Sequence, residues 1–176
     1  MDIVKEEIRK ELEETRRRFN ELLRSIPEES FSKPTENPQW NVGEVLYHMS
    51  LAVRNLPADA RLIRRFGRIP APPAFIFHRL NEWATRRGGR DATHETLAQA
   101  YDNGHERTLQ AMEKIGDDEW SKGAQYPDWD PNLSGFVTLE RLFHYPRVHF
   151  EAHAAELARF RRDQSGRSVS SVRQPL

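Results

Sequence analysis

Residues 149–157 read HFEAHAAEL. His149 and His153 are four residues apart, so on a helix their imidazoles stand one turn apart on the same side. That is the spacing with which two histidines grip one divalent ion, as in other i, i+4 pairs. It is equally the spacing of two packed histidines satisfied by carbonyls or carboxylates. At roughly 100° per residue, Leu139, Leu142, Phe143, Phe150, Ala154, Leu157 and Phe160 gather on one face, and both histidines fall inside that stripe, about 40° from each other. They are therefore expected to point inward.

A third imidazole strengthens the metal reading. In WNVGEVLYHM (40–49), His48 lies about 40° outside the edge of a second apolar stripe, marked by Ala52. It can turn into a helical core without displacing it. Three converging neutral imidazoles suit Zn²⁺, Ni²⁺ or Fe²⁺. They leave at least one coordination position for water or substrate, which is the pattern of a catalytic site. Burying unpaired imidazoles is costly, which favours a shared partner over three separate ones.

The other four histidines are weaker candidates. His144 falls on the opposite side of the helical wheel from His149 and is expected to face outward, although Pro146 can shift the phase of that helix. His105 lies close to an apolar stripe, either near the site or as a packing residue. His78 and His94 read as surface or cap residues. Glu156, three residues past His153, can orient an imidazole or stand as an exposed charge. The PDWD turn supplies Asp128, Trp129 and Asp130, which can wall a pocket or act as a base; a turn with one buried tryptophan is the plainer reading. There is no Ser-His-Asp pattern and no paired-carboxylate signature.

Composition limits the chemistry further. The 176 residues contain no cysteine, so disulfides, thiolate ligands and a protein thiol nucleophile are all excluded. Any thiol chemistry has to arrive with a substrate. Lys plus Arg and Asp plus Glu number 27 each, which leaves no global field to attract nucleic acid or an anionic membrane. The locally basic RLIRRFGR (61–68) reads as a solvated helix end. The first residues are charged and lack a signal-peptide core, and no apolar run approaches membrane-spanning length. A cytoplasmic protein is the expectation.

Helices must position these residues. Ile3, Val4, Ile8, Leu12, Phe19, Leu22, Leu23 and Ile26 recur at helical intervals over 3–26, ended by Pro27. Asn41 and Glu44 have capping-box spacing and open a second helix, which Pro57 either kinks or ends. GRIPAPPA is a loop. FIFHRLNEWATRRGGR reads as a short helix stopped by Gly88 and Gly89. A further helix runs from about Thr93 to Ile115. A long turn-rich connection follows, and Thr138 caps a last helix ending near Phe160 or Arg162. No stretch shows sustained two-residue alternation. The expected fold is all-α, a four-helix bundle with an additional short helix and long connections, over 1–162, with 163–176 as a flexible tail.

W-N-V-G-E-V-L-Y-H-M (40–49), followed a hundred residues later by H-F-E-A-H (149–153), resembles the DinB-like metalloprotein superfamily. That group includes the bacillithiol and mycothiol S-transferases and the mycothiol-dependent maleylpyruvate isomerases. The resemblance implies a four-helix bundle open at one end. It implies that His48, His149 and His153 ligate a metal, usually zinc or nickel, and that the protein is a homodimer. It also implies activation of a low-molecular-weight thiol that attacks an electrophile. Many relatives continue past the last ligand with Arg-Gly-Gln, whereas here Ala154, Ala155 and Glu156 follow. That departure, with Pro146, bears on the substrate more than on the metal. The expectation is therefore a metal-dependent enzyme that acts on a small-molecule thiol, or water, and an electrophile. The rivals are a metal- or ligand-binding bundle without turnover and a structural bundle with incidental histidines.

Overall fold

The computed structural model describes residues 3–70 and 72–170, with the side chains of 161–170 left aside. Five helices and one hairpin follow in order: α1 (Ile3–Arg24), α2 (Val42–Phe66), α3 (Ala74–Gly89), α4 (His94–Glu113), β1 (Gly123–Tyr126), β2 (Gly135–Thr138) and α5 (Leu139–Ser170), with a single 3-10 turn at Glu28–Ser30.

Each long helix buries the stripe that its sequence carries. α1 buries Ile8, Leu12, Thr15, Phe19 and Leu23, the side chains left apolar between its Glu, Lys and Arg residues. α2 starts where expected. The Asn41 side chain accepts from the Glu44 amide, and the Glu44 side chain accepts from the Asn41 amide, so two orphan donors are satisfied together. The helix continues through Pro57 and closes on Gly67 in the left-handed conformation, φ 60°. Thr93 caps α4 reciprocally with Thr96. Thr138 accepts from the Arg141 amide at 3.2 Å, as expected of the α5 cap.

α2 packs on α4 and α5, and α1 packs on the same two helices. This sets α1 and α2 on one diagonal of a four-helix bundle and α4 and α5 on the other. The core divides into two clusters. One gathers Ile8, Leu12, Leu56, Ile63, Met112 and Phe143. The other gathers Phe19, Leu46, Val53, Tyr101, Phe150 and Leu157. Phe19 and Phe143 are both fully buried, and truncating either to alanine would cost about 3–5 kcal/mol.

Three features bear on the sequence expectations, and two of them differ. First, a short antiparallel hairpin pairs Gly123 with Thr138 through Tyr126 with Gly135. Four-residue strands are too short to show alternation as a pattern. Second, α3 ends at Gly89, as expected, with Gly88 and Gly89 as its last two helical residues. A Cβ at Gly88 would come within 2.0 Å of the Tyr47 ring, and one at Gly89 within 2.7 Å of the Glu44 Cα. These glycines let α3 settle directly on the start of α2. Third, α5 continues to Ser170; residues 171–176 of the expected tail lie outside the described residues.

α3 makes its main contacts with α2. Its outer face leaves Phe75, Leu80 and Trp83 exposed. Among the described residues, no helix is long and apolar enough to cross a membrane.

Candidate metal centre

α2 and α5 meet in the bundle and bring three imidazoles together. One ring nitrogen each from His48, His149 and His153 lies within 4.8 Å of the others. Nε2 of His48 and Nε2 of His149 are 3.2 Å apart, and the ring centroids of the three residues are separated by 4.7–5.1 Å. Two nitrogens on one tetrahedral zinc, at about 2.0–2.1 Å each, stand roughly 3.3 Å apart. The His48–His149 spacing therefore suits a shared ion.

The surroundings aim these nitrogens. The Thr85 hydroxyl of α3, itself fully buried, lies 3.3 Å from His48 Nδ1. Glu156 Oε2 lies 3.2 Å from His153 Nδ1. In the tautomer this network favours, the Nδ1–H of His48 and of His153 donates outward, which leaves the Nε2 of each as a free lone pair. Burial pushes the His48 imidazole down to about 3, and neighbouring His153 adds to the effect. Burial, then His153 and His48, drives His149 well below the ordinary histidine value. Both are thus neutral near pH 7, the form that can ligate. Burial pushes Glu156 up, but His153, the Thr35 hydroxyl and the Asn37 amide outweigh it and hold the carboxyl below the usual range. Glu156 is an anion placed to orient His153.

Aromatic side chains shield the cluster. The Trp40 ring, in the loop before α2, sits 4.4 Å from His48, and Tyr145 sits 5.2 Å from His149. The Tyr145 hydroxyl donates to Asp130 Oδ2 at 2.6 Å. Burial and that carboxylate raise its pKa. Trp129 stacks on Phe77 at 4.1 Å, which ties the β1–β2 loop to α3. These residues line a cavity of about 740 Å³ that reaches from the three histidines along α2 to Tyr126. That volume is ordinary for a small-molecule site.

The remaining histidines lie elsewhere. His144 does not face solvent as expected: its Nδ1 meets Glu11 at 2.9 Å. The face of α5 opposite the site is covered by α1, so opposition on the wheel did not mean exposure. His105 is buried, with Nε2 3.2 Å from a Glu13 carboxylate of α1; it is a packing residue away from the cluster. His94 meets the Leu23 and Ile26 carbonyls at the end of α1. His78 lines the cavity from α3. Asp128 is exposed, while Asp130 and Trp129 form cavity wall.

The sequence reading missed Thr85 and Tyr145. Thr85 sits on the short helix with no pattern to mark it. Tyr145 is four residues before His149, on the same face of α5, and that spacing is a usable signal.

The helical bundle agrees with the family comparison. Residues 11–160 match the DinB superfamily, and the chain belongs to it. Among solved structures, YfiT from Bacillus subtilis, described as a probable metal-dependent hydrolase with an unusual four-helix bundle topology, superposes with a TM-score of 0.71 at 17% identity, covering 92% of this chain and 87% of that one. A mycothiol-dependent maleylpyruvate isomerase superposes with a TM-score of 0.67 at 13% identity, over 87% of this chain and 60% of that one. DfsB, a sibling lethal factor precursor, gives 0.66 at 11% identity, over 91% and 96%. At these identities the likeness establishes the fold. Among curated proteins, none matches the chain.

Proposed function

We propose that His48, His149 and His153 hold one divalent cation, with zinc or nickel the best fit and iron the alternative, and that the protein is a metal-dependent enzyme of the thiol S-transferase type. One observation carries this reading: three inward-facing imidazoles converge at the wall of a cavity large enough for a small molecule. The chemistry supplied by a bound divalent ion is a lowered pKa for a thiol or water, so that the nucleophilic anion exists near neutral pH.

The chain's own residues do the rest. Thr85 and Glu156 fix the imidazoles so that no reorientation is needed when a ligand arrives. Trp40 and Tyr145 restrict water around the cluster. Trp129 and Phe77 offer a stacked aromatic wall for an apolar electrophile. With no cysteine in the chain, the sulfur must come from a low-molecular-weight thiol. In the transfer, the thiol loses its proton, sulfur forms a bond to the electrophilic carbon, and the leaving group departs with the bonding pair.

Untagged protein, purified without added metal, tests this by inductively coupled plasma mass spectrometry. About one ion per chain is expected, and it should be lost in His149→Ala. Conjugation of thiols to an electrophilic dye should be faster with metal-loaded than with metal-free protein. Absence of stoichiometric metal overturns the proposal. Metal without conjugation supports a binding protein that performs no turnover.

A further inference from the structure

The cavity has a second polar end. His48 and Asp59 are eleven residues apart on α2, which is about 20° around the helix and roughly 16 Å along it. Both line the same cavity, with Ala52 and Asn55 between them. Asp59 therefore faces the same space as the imidazoles, three turns away. Beside its carboxyl lies the hydroxyl of Tyr126, from β1. Tyr126 is 5% exposed, and its hydroxyl makes no hydrogen bond of standard geometry. The Asp59 carboxyl is its polar partner, and the phenol oxygen keeps a lone pair to offer a ligand that reaches that carboxylate.

Charge narrows what that is. Besides Asp59, Asp130 also lines the cavity, and none of the described lining residues is Lys or Arg. At the Asp59 end of the cavity a carboxylate or phosphate would meet like charge and no Lys or Arg. Between the two ends the wall is apolar, with Leu51, Leu56, Leu62 and Leu142.

We propose that the end of the cavity opposite the imidazoles recognises a protonated amine: the Asp59 carboxylate is its counter-ion, the Tyr126 hydroxyl oxygen accepts a further N–H, and the ligand spanning the cavity is an elongated amine with an apolar middle. In the unliganded protein, burial raises the Asp59 pKa above its ordinary value, against the opposing contact with Tyr126. A cation reverses that penalty by restoring a paired carboxylate. This assignment rests on the proposed function for what happens at the histidine end, but recognition of the amine does not require the metal.

Matched probes test it without a variant. n-Decylamine, decanoate and decanol differ only in the head group, and their binding to the zinc-loaded and the chelator-treated protein is measured by calorimetry at pH 7. The amine should bind at least about tenfold tighter than decanol with and without zinc, and than decanoate in the chelator-treated protein, as hydrogen bonds to charged groups imply. Asp59→Asn, which preserves size, should erase that preference, and Tyr126→Phe should weaken amine binding a few-fold. Equal or tighter binding of decanol to either form, or of decanoate to the chelator-treated protein, overturns the proposal. So does a preference that persists in Asp59→Asn, or amine binding that vanishes on zinc removal, which would place the amine at the imidazoles. Zinc binding without amine preference refutes this site alone. Amine preference in a protein that never binds metal refutes the enzymatic reading alone.

Discussion

The hydroxyl of Thr85, on α3, lies 3.3 Å from Nδ1 of His48, on α2. A helix that supplies none of the three imidazoles thus holds one of them in place. Thr85→Val keeps the shape and removes the hydroxyl. It should lower metal affinity by about 10–100-fold, the range seen when an outer partner of a ligating histidine is lost. Thr85→Ser should restore most of it. Competition with a chromogenic chelator reads both, and equal affinity in all three proteins would remove Thr85 from the site.

Metal removal should register as stability. An ion at 100 times its Kd adds about 2.7 kcal/mol to the folded state, which for a chain of this size shifts Tm by roughly 5–10 °C. Calorimetric scans with zinc and with chelator should differ by that amount in the wild type and should coincide in His149→Ala.

Away from the site, Glu119 carries a pH dependence. Its carboxyl is held near 2 by hydrogen bonds from Arg64, the Gly116 amide and Lys122. The folded value lies below the unfolded value of 4.5, so the unfolded chain takes up the proton first as pH falls. The stabilisation is complete above pH 4.5 and declines as pH falls toward 2. Glu119→Gln should cost about 2 kcal/mol at pH 7. Urea titrations should show that gap constant down to about pH 5 and shrinking below it. A gap that does not narrow in acid would refute the assignment.

The Tyr145–Asp130 bond, at 2.6 Å, anchors the β1–β2 loop to α5. Tyr145→Phe should cost about 1.5–3 kcal/mol, as expected for a hydrogen bond to a charged group, and should quicken proteolysis within 127–134. Unchanged cleavage of that loop would mean that the Phe77–Trp129 stack holds it alone.

The parts that were legible in the sequence were those with long periodic signals. Four amphipathic helices, the Asn41–Glu44 cap and the inward aim of His149 and His153 all follow from 3.6-residue spacing, and each is present. What was not legible depends on which helix faces which. His144 sits on the far side of α5 from the site, yet α1 covers that side and supplies Glu11. Thr85 and Asp59 gain their neighbours only after α3 and β1 dock on α2. The hairpin is specified by pairing across a nine-residue separation, which a local period cannot carry.

Gly88 and Gly89 offer no donor and no charge. The depth at which α3 seats on α2 is nonetheless set by those two bare α-carbons, because a methyl group at either would strike Tyr47 or the Glu44 backbone. Lifting α3 by the width of one methyl would carry the Thr85 hydroxyl out of reach of the ring it steadies. The aim of an imidazole is thus governed partly by two positions whose contribution is to take up no room.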